Sequence, residues 1–381
     1  MKIQYFFIFS FFMGLWGCVK QPPLPSLFSL EKSEKRLFFP LNTHTKTLIY
    51  TLTPYTDTDG KEYLSFQNEY RNEILFYDMQ TGSYRFTVAP ALDGPDGVGR
   101  FVGYHIHTLD SIFLTSLDVP EIAWVDRNGK LGDKIEYAYA SDGTSLSKFQ
   151  SLTSYYTPLF LIKNELYLIS GPNRWIDRAP VSAAIDLRTR SVEALPFFYP
   201  RFPGADNPAK QAGVEEYFSR CYDGKRWIYS FYFDENLYVA SLRHDSVRRV
   251  PAKSRYIDRV EQIDDYGRVT FRDLCENPNY GNLLYDPYRE VYYRIAYPAT
   301  EISEKVNAHE LLFYGRKKFS ILILDQQFRK IGETLFPDYT YNSLLIFIRK
   351  DGLYISDSHP MNPAYDNDTL SFRRFDLVQK K

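Results

Sequence analysis

Ile74-Leu75-Phe76-Tyr77-Asp78-Met79-Gln80-Thr81-Gly82-Ser83-Tyr84-Arg85-Phe86-Thr87-Val88 reads as two strands joined by a tight turn. Aromatic and β-branched residues fill both runs, which suits a pleated, half-buried surface. Asp78 closes the first run, where its carboxylate can accept hydrogen bonds from turn amides two residues on. Gly82 supplies the positive φ that such turns often need. A further run, Tyr63-Leu64-Ser65-Phe66, precedes the pair.

The same order recurs along the chain. Ile122-Ala123-Trp124-Val125-Asp126 leads through Arg127-Asn128-Gly129-Lys130 to a run at 134–137, and Ala183-Ala184-Ile185-Asp186 leads to a run at 192–195. Runs at 237–241 and 247–250 form a fourth copy, Ile321-Leu322-Ile323-Leu324-Asp325 with 330–334 a fifth, and 370–376 part of a sixth. Apolar runs such as Phe160-Leu161-Ile162 and Leu344-Leu345-Ile346-Phe347-Ile348 add one more strand per copy. Four strands repeating every 40–50 residues or so is the signature of propeller blades. The turn positions 78, 126, 186, 241, 325 and 376 are 48, 60, 55, 84 and 51 residues apart.

These spacings predict an all-β, six-bladed β-propeller. The long step of 84 implies an insertion near 253–283, or a seventh blade built around Tyr285-Asp286-Pro287-Tyr288. Six is favoured, because the run at 283–288 can serve as the fifth blade's inner strand. The sixth copy has no strand after Asp376, and Leu37-Phe38-Phe39-Pro40-Leu41 can supply it. Pairing the two termini closes the ring and removes an exposed edge. A pair of β-sandwiches is disfavoured, since no boundary stands near residue 200.

Thirty-two Tyr and 29 Phe among 381 residues agree with a strand-rich chain. Without residues 1–17, and so without Lys2, 45 basic residues stand against 47 acidic ones. This balance, with no charged block, argues against nucleic-acid partners and against a basic stripe for anionic membrane surfaces.

The N-terminus carries an address. Met1-Lys2 is followed by an apolar run from residue 3 to 17, too short to span a bilayer. It fits the h-region of a signal peptide. Leu15-Trp16-Gly17-Cys18 looks like the lipobox of bacterial lipoproteins, with Trp16 an unusual residue in it. In such proteins the cysteine is diacylated and begins the mature chain, and two acyl chains anchor stably where one is marginal. The expected organisation is therefore a signal peptide at 1–17, Cys18 with a tether to residue 36, and the propeller at 37–381. The tether assignment rests on Pro22, Pro23, Pro25 and the mixed-charge run Glu31-Lys32-Ser33-Glu34-Lys35-Arg36. Val19-Lys20 lacks the Asp that retains some lipoproteins at the inner membrane, so the outer membrane is favoured, facing periplasm or exterior. Cys221 and Cys275 could pair in such a compartment. Nothing in their spacing demands it, and two buried free thiols is the favoured reading.

Several stretches together resemble the bacterial lipoprotein family known as domain of unknown function 4221. They are Tyr63-Leu64-Ser65-Phe66-Gln67-Asn68, Tyr77-Asp78 with Thr81-Gly82, and Gly94-Pro95-Asp96-Gly97-Val98. The most specific is Leu284-Tyr285-Asp286-Pro287-Tyr288-Arg289 with Val291-Tyr292-Tyr293-Arg294. The resemblance covers most of the mature chain. It implies a Bacteroidota-type propeller lipoprotein and no particular activity.

Local chemistry is sparse. Gly94-Pro95-Asp96-Gly97-Val98-Gly99 lacks the Lys-Ser/Thr and the helix of a phosphate loop and reads as a connecting turn. Asp93 and Asp96 lack the regular spacing of a calcium loop. His105 and His107 would share a face of one strand, but no third ligand is near, so neither a metal nor a cofactor is expected. Ser141-Asp142-Gly143-Thr144 does not match the Asp-box of sialidase propellers, and no G-x-S-x-G elbow exists, so no catalytic residue is assigned. Tyr288, Arg289, Tyr292 and Arg294 form the densest polar-aromatic stretch. They are either ligand contacts facing a central channel or arginines stacked on aromatics inside packed blades. The sequence thus points to a lipid-anchored binding or scaffolding module for an unknown protein or glycan. The alternative is a propeller hydrolase acting on a glycan or lactone through channel-lining carboxylates.

Overall fold

The computed structural model describes residues 27–45, 49, 51–68, 70–146, 153–170, 179–200, 217–260 and 269–380. Cys18 and residues 19–26 lie outside the described residues. β1 (Phe28–Pro40) is the N-terminal strand. Six antiparallel four-stranded units account for all the strands among the described residues. The first holds β2 (Leu52–Thr56), β3 (Glu62–Asn68), β4 (Glu73–Asp78) and β5 (Tyr84–Val88). The second holds β6 (Phe101–Thr108), β7 (Ser111–Ser116), β8 (Glu121–Val125) and β9 (Leu131–Glu136). The third holds β10 (Phe160–Ile162), β11 (Glu165–Ile169), β12 (Ser182–Asp186) and β13 (Val192–Ala194). The fourth holds β14 (Phe218–Tyr222), β15 (Trp227–Phe231), β16 (Asn236–Ala240) and β17 (Val247–Pro251). Helix α1 (Phe271–Glu276) precedes the fifth, which holds β18 (Asn279–Asp286), β19 (Val291–Tyr297), β20 (Ser320–Leu324) and β21 (Lys330–Leu335), with α2 (Ala308–Tyr314) between β19 and β20. The sixth holds β22 (Asn342–Arg349), β23 (Gly352–Ser356) and β24 (Thr369–Gln379), and takes β1 as its outermost strand.

Hydrophobic burial links the units in a circle. Phe66 and Leu75 of the first unit pack on Phe347 and Phe372 of the sixth, and Phe76 and Ile74 on Tyr104 and Ile112 of the second. Phe113 packs with Leu166 between second and third, and Tyr167 with Trp227 between third and fourth. Ile228 packs with Tyr292 between fourth and fifth, and Ile321 with Ile346 between fifth and sixth. Each sheet therefore buries both faces against its neighbours. This explains why its strands read as nearly continuous apolar runs rather than as strict alternation. The arrangement is propeller-like.

The aspartate turns form as their sequence suggests. Asp78 Oδ1 accepts the amides of Gln80 and Thr81 at 2.8 and 2.9 Å. Asp126, Asp186 and Asp325 repeat the geometry. Gly82 adopts φ 71°, and a Cβ there would stand 2.0 Å from the carbonyl oxygen of Phe38 on β1. Burial acts to raise the Asp78 pKa, but the Thr81 amide and the Arg85 guanidinium outweigh it and bring it to about 2.

The N-terminal run does pair with the last strand, but it begins earlier than expected. β1 meets β24 from Phe28↔Gln379 to Pro40↔Thr369, so residues 28–36 are strand and not tether. The charged run misleads because it lies on an outermost strand whose exposed face can be polar. There Lys35 pairs with Asp351 at 2.6 Å and Arg36 with Asp357 at 2.8 Å. The step of 84 residues holds the expected insertion, with most of the run at 283–288 inside the fifth unit's inner strand β18, and a second connection besides. It comprises two connections, one before β18 carrying α1 and one before β20 carrying α2. Tyr285 and Asp286 end β18, and Pro287 and Tyr288 form its turn into β19.

Two outcomes follow from this architecture. Phe39 is fully buried in the core between sixth and first units, whereas Phe38 is 48% exposed. Phe39→Ala will lower the unfolding free energy by about 3–5 kcal/mol in urea titrations, and Phe38→Ala will change it by no more than about 0.5 kcal/mol; equal losses would deny β1 its place in the core. The depressed pKa of Asp78 contributes stability that is fully present above the unfolded value of about 3.9 and is lost as pH falls through about 2. The difference in Tm between the native protein and Asp78→Asn will shrink from pH 5 to pH 2. A difference that stays constant across that window refutes the turn's electrostatic role.

Candidate functional site

Residues 153–157, between the second and third units in sequence, run through the interior of the ring. Thr153 bridges Gly103 on β6. The carbonyl of Tyr156 accepts the Arg220 amide and the Ser219 hydroxyl of β14, each at 2.8 Å. The Tyr156 hydroxyl lies 2.8 Å from the carbonyls of Leu344 and Ile346 and accepts the Ile346 amide at 2.7 Å, all on β22. One short segment thus ties the inner strands of the second, fourth and sixth units together. Burial raises the pKa of Tyr156 well above its ordinary value, so the ring stays a neutral hydrogen-bonding group.

This crosspiece separates two cavities. The larger, of about 450 Å³, lies at the N-terminal ends of inner strands β14, β18 and β22. Its walls are Phe218, Tyr232, Phe233 and Tyr297, with Phe271 and Phe313 contributed by the two helices. Gly281 on β18 makes room for one wall, since a Cβ there would stand 2.7 Å from the Tyr297 ring. The tyrosine hydroxyls are already engaged: Tyr232 donates to Asn282 at 2.8 Å, and Tyr297 meets Ser343 at 3.1 Å. A fixed aromatic wall of this kind suits recognition of flat apolar surfaces. Arg316 is the one charged residue in the described lining.

The helices shape the mouth. Thr270 caps α1, and Asp273 returns the bond to the Thr270 amide at 2.7 Å, a capping box. Asn307 caps α2. Phe271 lies 4.9 Å from the His309 ring and 6.2 Å from the Phe313 ring, edge to face.

The smaller cavity, of about 210 Å³, lies at the opposite end, among Tyr55, Tyr63, Tyr155, Tyr288 and Arg349. Adjacent tyrosines of the crosspiece thus serve opposite ends: Tyr155 the smaller cavity and Tyr156 the larger.

The residues singled out in the sequence do not surround one space. Tyr288 is exposed and lines the smaller cavity. Arg289 donates from Nε to Asp286 at 2.5 Å and from its terminal nitrogens to the carbonyls of Arg349 and Lys350, fastening fifth unit to sixth. Tyr292 is fully buried and donates to Asp223 at 2.6 Å; burial, reinforced by that carboxylate, raises its pKa. Arg294 is also fully buried. It donates to Ser230 at 2.9 Å and to the carbonyls of Glu235, Ala252 and Asp234, with its guanidinium 3.6 Å from the Tyr280 ring centroid. Burial pulls its pKa to about 10.

His105 packs near Phe113 and Phe160, at 6.4 and 5.9 Å, and burial followed by repulsion from His107 lowers its pKa to about 4. Among the described residues no three His, Cys, Asp or Glu side chains gather to hold a metal. Cys221 and Cys275 are free and buried in different cores. The aromatic cavity went unread in the sequence, although Tyr232-Phe233 and Phe313-Tyr314-Gly315-Arg316 are its traces.

Comparison with known proteins gives the family. Residues 27–335 match the model described as "Domain of unknown function (DUF4221)". A crystal structure of a member of that family from Bacteroides vulgatus is similar over 93% of this chain and 99% of its own, with 25% identity and a TM-score of 0.80. A Bacteroides fragilis protein described as a candidate exported protein is similar over 93% of this chain and 96% of its own, at 10% identity and a TM-score of 0.50. No curated protein matches. The match begins just ahead of β1 and runs through β21, taking in the Tyr285-Asp286-Pro287-Tyr288 stretch that suggested the family, and the chain belongs to the DUF4221 family.

Proposed function

We propose that this protein is a six-bladed β-propeller, lipid-anchored through Cys18 in the cell envelope, that binds a small ligand in its larger cavity. The observation that carries the binding reading is the wall of that cavity: aromatic rings among which the Tyr232 and Tyr297 hydroxyls are already paired within the protein. Such a surface offers shape and stacking without reorganisation on binding. The hydrolase alternative requires two groups able to exchange protons over a shared space. The described lining supplies amides, hydroxyls and one guanidinium instead. The blade count is supported by six four-stranded units joined by six cores. Tyr288, which lines the smaller cavity, stays in the proposal as a ligand contact there. Location in the envelope, with the outer membrane favoured, is supported by the layout around Cys18 and by likeness to the candidate exported protein.

The anchor and the binding role are tested separately. Cys18→Ala will release the protein from membranes or leave its precursor uncut; unchanged processing and membrane partition would count against acylation. A panel of chromogenic glycosides and lactones will show no turnover by the purified full chain above buffer. Turnover that disappears on Asn282→Leu, in a variant that keeps its Tm, would overturn the binding reading in favour of the hydrolase.

A further inference from the structure

We propose that the larger cavity takes a small, planar organic molecule bearing one carboxylate, and that Arg316 holds that carboxylate. The inference rests on the binding reading above and names its ligand class. Arg316 is only 9% exposed. It donates from Nη1 to the Leu274 carbonyl and lies 4.7 Å from the Tyr297 ring centroid. Among the described residues no carboxylate pairs with it, and the cavity's described lining contains no Asp or Glu.

Two other buried arginines make the contrast. Arg294 reaches six acceptors and Arg220 five, all of them carbonyls or hydroxyls. Both are structural ties whose terminal nitrogens are used by the protein, although Nε of Arg220 is buried without a partner. Arg316 donates to one carbonyl and lies beside the Cys275 thiol, whose pKa it acts to lower against the effect of burial. The remaining donors of Arg316 are not among the described buried atoms left without a partner, so they open on the cavity, where an entering carboxylate can accept from them.

The fork of a guanidinium matches a carboxylate in bidentate geometry. A single cation, with no lysine in the described lining, suits one negative charge better than the two of a phosphate. The rest of the ligand faces Phe218, Tyr232, Phe233 and Tyr297, with Phe271 and Phe313 at the mouth, so a flat apolar body completes the fit. The volume of about 450 Å³ lies within the range of small-molecule sites.

Calorimetric titration of the full chain in lipid nanodiscs tests this with 2-naphthoate and its neutral analogue 2-naphthamide. Naphthoate is expected to bind at one saturable site, at least about tenfold more tightly than the amide. Arg316→Met should erase that preference. Leu312→Trp, which fills the cavity and leaves the cation in place, should abolish binding of both. Thermal unfolding of each variant establishes that it is folded, and if Arg316→Met is not, the acid-to-amide ratio of the native protein decides alone. Equal affinities for acid and amide, or undiminished naphthoate binding by folded Arg316→Met, overturn the carboxylate assignment and leave the binding reading intact. Absence of saturable binding by either compound overturns both.

Discussion

The pairing of β1 with β24 is the contact on which the ring depends. β1 is the outermost strand of the sixth unit, yet its side chains serve three units. Leu30 enters the core shared with the fifth unit, and Phe39, an odd number of residues away, enters the core shared with the first. Its backbone also reaches β21 in parallel through Phe28↔Gly332, which makes one eight-stranded sheet of the fifth and sixth units. Between Lys32 and Arg36 the strand carries two more residues than its partner. An even number bulges the strand without moving Leu30 and Phe39 to the wrong faces, which a single residue would do.

A second set of ties acts inside the ring. The Tyr156 crosspiece joins three inner strands through backbone groups and one hydroxyl. Arg220, Arg289 and Arg294 join neighbouring units by donating to carbonyls of the next sheet. Sheets that meet only through apolar faces can slide, because the hydrophobic effect has no direction. Buried hydrogen bonds have direction, and leaving their acceptors unmet is expensive. These arginines therefore fix how the third to sixth sheets sit on one another.

What could be read from the sequence was what is local. Asp78, Asp126, Asp186 and Asp325 bond amides two to four residues ahead, so their turns are written in a few letters. The closure of the ring was legible for a different reason: a unit short of one strand needs a partner, and only the N-terminus had one spare. The extent of β1 was not legible, because charged residues on an exposed edge look the same in a strand as in a tether. The two helices, of six and seven residues, are too short to show a helical period. The crosspiece was hidden because its partners lie 50 to 190 residues away. Arg294 in sequence looked equally like a ligand contact and like a stacked structural group, and only its ring of carbonyls separates the two.

The two ends of the ring are not equivalent, and the chain direction relates them to the N-terminus. Inner strands β14, β18 and β22 begin at the larger cavity, and β24 runs the same way as β22. β1 is antiparallel to β24, so Phe28 lies beside Gln379 at the far end, on the side of the smaller cavity. The described chain therefore enters the ring at the end that holds the smaller cavity, away from the larger one. The helices that shape the larger mouth come from the two connections of the fifth unit, and they lie at the end opposite Phe28. The strand that closes the ring therefore runs between the two ends, and the end away from its first residue is the one lined by aromatic rings and Arg316.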